Sequence, residues 1–236
     1  MDEKTRTVMN ALRMRRSTRE FTGESIPDED IEYILDAARY APSPENMQTW
    51  RYVVIKEDVE TKKFLGELCK KAASELFGSA PYELTQARLW YVPPRSRPAT
   101  FEEMREGDLF AYPGKCSVAI IGCASESSHD SFMRYPLDVL GSISVAMGIF
   151  SMWLVAHSMG YGAGYQALPV MELRRRQLLC DRLGIPGLWV PIATLFVGVP
   201  EVKRMVGPSR FPIESVCYAE RWGNPYMRHA FTDEEE

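Results

Sequence analysis

Helices and strands interleave along this chain, which places it in the α/β or α+β class. Three β-rich runs carry that reading: Tyr52-Val53-Val54-Ile55, Val118-Ala119-Ile120-Ile121-Gly122 and Ile192-Ala193-Thr194-Leu195-Phe196-Val197. Between them lie segments with helical spacing of apolar residues. The length of 236 residues and the 45% apolar, 25% charged composition suit a globular fold with a core that needs no staples.

The elements follow in order. Residues 3–14 read as a first helix with Val8 and Leu12 on its apolar stripe. Ile26-Pro27-Asp28-Glu29-Asp30 opens a second helix, because proline suits a first turn and the acidic run complements the positive end of the helix dipole. Ile31, Ile34, Leu35 and Ala38 form its buried face, and Pro42-Ser43-Pro44 stops it. The strand at 52–55 comes next, then an amphipathic helix over 59–77 with Phe64, Leu65, Leu68, Ala72 and Leu76 apolar. Residues 80–114 are irregular and rich in proline, arginine and aromatics. The run at 118–122 reads as a central strand, buried on both faces. Residues 136–158 form a long buried helix, and Gly160, Gly162 and Gly164 mark the turn after it. Tyr165-Gln166-Ala167 starts a strand, 170–183 is a helix with a basic face at Arg174, Arg175 and Arg176, and 192–197 is the last strand. Residues 1–200 are expected to form one domain. The aperiodic 201–236 either caps the core or embraces a partner subunit.

Composition excludes several functions. A net charge of −4 argues against a nucleic-acid partner. Cys69, Cys116, Cys123, Cys180 and Cys217 are odd in number and widely spread, which suits buried free thiols in a reducing cytoplasm rather than a metal site or disulfide framework. The charged Met1–Arg6 segment has no apolar stretch of a signal peptide. Val139–Ala156 is free of charges, but Gly141, Ser142, Ser144, Gly148 and Ser151 dilute it, so a core helix rather than a membrane span is expected.

Four motifs carry the candidate chemistry. Arg15-Arg16-Ser17-x-Arg19 gathers three guanidiniums and a hydroxyl, a set that can converge on a phosphate, although a solvated helix end would use the same residues. Pro42-Ser43-x-x-Asn46-x-Gln48-x-Trp50 offers side chains that both donate and accept, which suits the carbonyl and imide edge of a flavin but also an ordinary polar turn. Gly160-x-Gly162-x-Gly164 lets backbone approach a planar ligand. It follows a helix rather than a strand, so it is not a dinucleotide-binding fingerprint. Arg210 stands alone near the end.

In this order, Arg15-Arg16-Ser17-x-Arg19-x-Phe21, Pro42 to Trp50, Gly160-Tyr161-Gly162 and Arg210 resemble the nitroreductase / flavin reductase family over residues 8–215. The resemblance implies a three-layer α+β sandwich, with a mixed central sheet between helices, and a homodimer with two equivalent FMN sites at its interface. Arg15, Ser17, Arg19 and Arg210 would hold the FMN phosphate with Arg16 close by. Pro42 and Ser43 would reach the flavin from the partner chain, and Asn46 and Gln48 would make polar contacts. The backbone near Gly164, Tyr165 and Gln166 would face the ring, and the tail beyond residue 200 would wrap the other subunit. NAD(P)H would pass hydride through FMN N5 to a nitroaromatic, quinone or activated alkene, with no side chain as acid or base. A specialised reaction of the same fold (reductive dehalogenation, ene reduction, flavin fragmentation) and flavin binding without turnover are the alternatives. The hydroxyl-rich run that deiodinase-like and flavin-fragmenting relatives carry after the glycines is replaced by Tyr165-Gln166-Ala167. Within 80–114, Trp90, Tyr91, Phe110 and Tyr112 read either as an aromatic substrate lid or as a surface loop with a small aromatic cluster.

Overall fold

The computed structural model describes residues 2–79, 89–90, 92–125, 139–202 and 207–226. In order, these hold α1 (Glu3–Met14), α2 (Asp28–Arg39), β1 (Trp50–Ile55), α3 (Val59–Gly78), α4 (Arg97–Glu106), β2 (Val118–Ser125), α5 (Val139–Ser158), β3 (Gly162–Gln166), α6 (Leu173–Leu183) and β4 (Trp189–Gly198). Local chemistry explains the helix starts. Asp2 accepts from the Thr5 amide, Asp58 from the Thr61 amide, and Glu172 from the Arg174 and Arg175 amides.

The four strands pair in the order β1-β2-β4-β3, every neighbour antiparallel. The expected mixed sheet is therefore antiparallel among the described strands. Its parallel element is a single bridge between Ser17 and Ala163. The alternation along β2 and β4 splits the core in two. Val118, Ile120, Ala124, Ala193, Leu195 and Val197 face α2 and α5, where Ile34, Val145, Ile149 and Met152 cover them. Ala119, Ile121, Cys123 and Phe196 face Leu65 and Leu68 of α3 and Leu179 of α6. Helices thus cover both faces, as the sandwich requires.

Glycine lets α5 settle on the sheet. A Cβ at Gly148 would occupy the place of the Tyr52 hydroxyl, and one at Gly122 would lie 2.6 Å from Val145. The Tyr52 hydroxyl is buried without a partner, and burial pushes its pKa up. Cys69, Cys116 and Cys123 are buried, with the Cys116 and Cys123 thiols pushed up to about 12 by burial.

Three expectations change. The segment at 80–114 is not a free lid in its described part. It forms α4 and short 3-10 turns, and its Leu89, Phe101 and Met104 join Cys69, Ala72, Ala73, Phe77 and Leu168 in a third buried cluster. Tyr112 is 5% exposed and edge-on to Phe196, while Phe110 stacks on Phe77 at 5.6 Å. Tyr112 is a core residue and Phe110 packs half-buried against the third cluster, because proline, arginine and aromatic composition hid a packed layer with no helical period. Second, Gly162 and Gly164 lie inside β3, and Gly160, at φ 90°, alone makes the turn. Third, α1 buries none of its residues in this chain, and Val8 is exposed.

Candidate functional site

The site begins where α1 ends. The Thr18 amide donates to the Ala163 carbonyl at 2.9 Å, so residues 17–19 run beside β3. The glycines permit this closeness. A Cβ at Gly162 would sit 2.6 Å from the Thr18 side chain, and one at Gly164 would sit 2.6 Å from the Tyr112 hydroxyl and 2.8 Å from the Thr18 carbonyl oxygen. These glycines serve chain-to-chain packing, which seats the arginine segment.

A cavity of about 310 Å³ opens there, lined by Arg16, Ser17 and Arg19 and by Trp153, His157 and Tyr161. Leu109, Pro200 and Val202 also reach it, as does Glu20. Arg15 lies on the Trp153 ring at 3.9 Å and near Phe150 at 5.7 Å. Burial, and then the charge of Arg210, lower its pKa, so Arg15 and Arg210 are electrostatic neighbours. The tail reaches this point because Gly207 packs on the backbone of Arg13 and Met14, where a side chain would collide.

The donors are unsatisfied. Nε of Arg15, Nε of Arg19 and Nε1 of Trp153 are buried and meet no acceptor among the described residues. Buried cationic donors without acceptors are costly. A phosphate supplies several acceptor oxygens and a double negative charge, so this donor set fits the phosphate of FMN.

The rest of the expected site is arranged differently. Pro42, Asn46 and Gln48 are exposed, and the 42–48 loop does not line the arginine cavity of its own chain. Instead Pro42 borders a second, apolar cavity of about 440 Å³ with Ile143, Met147 and Phe150 of α5. The loop is pinned internally, with the Gln48 amide donating to Ser43 Oγ at 3.0 Å and the Asn46 amide to the Ser43 carbonyl at 3.1 Å. Glu45, Asn46 and Gln48 all take left-handed conformations, at φ 52°, 55° and 52°. Three such non-glycine residues in four positions store strain of the kind that collects at functional sites.

Tyr165 is exposed and stacks on Trp153 at 6.4 Å, extending the Arg15–Trp153 column along β3. The Gln166 side chain turns inward instead. It is 5% exposed, and its Nε2 donates to the Phe110 carbonyl at 3.1 Å. Of the expected lid residues, Trp90 alone is surface-placed, stacked on Phe211 at 4.8 Å. Tyr91 lies outside the described residues.

Sequence reasoning missed Trp153 and His157 as lining residues. Their signal was present: they stand one turn apart at the end of an otherwise charge-free helix. Tyr161 is held there by a hydrogen bond from its hydroxyl to Asp30, which pushes that hydroxyl up to about 12.

The model of the Nitroreductase family matches residues 12–199. The chain is 24% identical over 220 residues to a 5,6-dimethylbenzimidazole synthase of Rhodospirillum rubrum, covering 89% of this chain and 94% of that protein. It is also 24% identical over 222 residues to an FMN reductase [NAD(P)H] of Bacillus subtilis, covering 92% of this chain and 75% of that protein. Among solved structures, nitroreductase A from Vibrio parahaemolyticus shares the fold at a TM-score of 0.66 and 20% identity, covering 93% of this chain and 78% of that one. An FMN-dependent nitroreductase from Clostridium difficile gives 0.58 at 16% identity, covering 84% and 90%. The chain belongs to the nitroreductase family, and with it to the oxidoreductases.

Proposed function

We propose that this protein is an FMN-dependent oxidoreductase that takes electrons from NAD(P)H and gives them to a small electron-poor acceptor such as a nitroaromatic, quinone or activated alkene. The observation that carries the proposal is the set of buried, acceptor-less donors on Arg15 and Arg19 next to Arg210. Arg15, Ser17, Arg19 and Arg210 hold the phosphate, with Arg16 at the rim of the same cavity. Trp153 orients Arg15 by lying under its guanidinium. Bound FMN supplies two-electron acceptance and donation, which no side chain here offers. The protein positions the group, and no side chain acts as acid or base. The nicotinamide and the acceptor use one cleft in turn, so initial-rate plots are expected to be parallel lines.

The working unit is a homodimer. Leu140, Ile143, Met147 and Phe150 are exposed at three- and four-residue intervals on α5, an apolar stripe opposite the face that covers the sheet. By length and composition this helix could also cross a membrane. A second copy is the better occupant, because the stripe runs into the Arg15 site at Phe150 and is bordered by Pro42 of the strained loop. Pro42, Ser43, Asn46 and Gln48 then meet the partner's flavin, whose ring lies against Gly164 and Tyr165. Val216 and Trp222 of the exposed tail contact the other subunit.

Purification tests the proposal. A yellow protein that releases FMN and oxidises NAD(P)H with a nitroaromatic or quinone is expected. A colourless protein that refuses added FMN overturns it. The likeness to 5,6-dimethylbenzimidazole synthase over 94% of that protein favours one second reading, a specialised flavoenzyme of the same fold. The products formed from reduced FMN under oxygen separate the two.

A further inference from the structure

The cavity is lined by an imidazole that the proposed function leaves unused. His157 stands in the last turn of α5 and lines the same cavity as Arg16, Ser17 and Arg19. One turn earlier on the same helix, Trp153 also lines it and carries Arg15 on its ring. The groups facing His157 are mostly cationic or neutral. Arg15, Arg16 and Arg19 come from the segment after α1, and Arg210 acts on Arg15 from the tail. Tyr161 comes from the turn before β3, with its hydroxyl committed to Asp30. Glu20 is the one carboxylate among the described residues lining this cavity, and it is an exposed residue.

We propose that His157 is a further ligand of the flavin phosphate, neutral when the cavity is empty and protonated when the phosphate is bound. The inference rests on the FMN reading above. Its physical basis is the balance of charge in the cavity. In the free protein, burial and then the positive charge of Arg15 lower the imidazole pKa, so the neutral form prevails at neutral pH. A phosphate dianion reverses the sign of the local field and accepts a hydrogen bond from the imidazolium. The helix C-terminus also favours a cation at this position. Flavin binding therefore takes up a proton in the interval between the two pKa values. Affinity rises as pH falls through the pKa of the complex and levels off below that of the free protein. Riboflavin lacks the phosphate and escapes this linkage.

Calorimetric titration of the full chain with FMN and with riboflavin, near pH 7 in two buffers of different ionisation enthalpy, measures affinity and proton uptake together. The phosphate stays mainly dianionic there, since its second pKa is about 6. The wild-type protein is expected to take up a fraction of a proton with FMN and none with riboflavin. His157→Gln should lose that uptake and weaken FMN binding roughly tenfold, the scale of a charge-assisted hydrogen bond, with riboflavin unchanged. His157→Lys, a permanent cation, should restore FMN affinity without restoring uptake. Wild-type FMN affinity and proton uptake in His157→Gln overturn the inference while leaving the FMN site standing. Equal weakening of FMN and riboflavin also overturns it, because the role is then not toward phosphate. Refusal of FMN by the wild-type protein overturns both readings.

Discussion

The arginine segment at 15–19 and the polar loop at 42–48 were the two most informative stretches of sequence, yet the fold treats them in opposite ways. Residues 15–19 are built into the chain. They bridge to β3, sit against glycines that admit them, and line a cavity with Trp153 and His157. The 42–48 loop is strained and largely exposed, and its Pro42 borders the apolar α5 cavity. One chain thus gathers the arginines at a cavity but leaves the loop facing outward. The homodimer proposed above would divide its labour this way, with the charge-binding half preformed and the other half dependent on assembly.

The largest expected effect tests that division. Met147→Glu puts a charge in the middle of the α5 stripe, twice per two-fold dimer, at a cost of several kcal/mol once buried. Light scattering should report a folded monomer whose FMN affinity is much reduced. A monomer that holds FMN as tightly as the parent would break the comparison. Arg19→Glu attacks the preformed half instead. It should weaken FMN at least about a hundredfold, by losing a charge-assisted bond and adding repulsion, while leaving the dimer intact by light scattering.

Gly164→Ala sharpens the point from within the chain. Its Cβ would press on the Tyr112 hydroxyl and the Thr18 carbonyl, so denaturant unfolding should show a loss of about 2 kcal/mol. Adding Tyr112→Phe should recover part of it. Full stability in the single variant would mean that residues 17–19 do not need the close approach. The smallest effect is expected at Gln48. Gln48→Gly relieves a left-handed conformation and should stabilise the fold by roughly 0.5 kcal/mol. If the loop meets the partner's flavin, the same change weakens FMN binding.

Much of the fold was legible because periodicity reports burial. The β-branched runs became β1, β2 and β4, and α2, α3 and α6 fall close to where their apolar spacing and caps put them. The layer at 89–115 was not legible. Its helix is short, and its apolar residues, Leu89, Phe101 and Met104, are buried through contact with α3 rather than through a period of their own. The arginines were legible as a cluster, and their order with the later motifs, rather than the cluster alone, pointed to the family. Gln166 was not, because a side chain pointing inward to Phe110 looks the same in sequence as one pointing toward a ligand.

The sequence by itself determined the α+β class, the arginine cluster and the family, since these rest on residue types and their order. Only the tertiary structure decided that Gly162 and Gly164 serve packing, that Tyr112 belongs to the core with Phe110 packed half-buried, and that His157 shares a cavity with the arginines. The physical reason is distance along the chain. Residues 140 positions apart share a cavity only because β3 and the end of α5 bring them together, and no local pattern encodes that meeting.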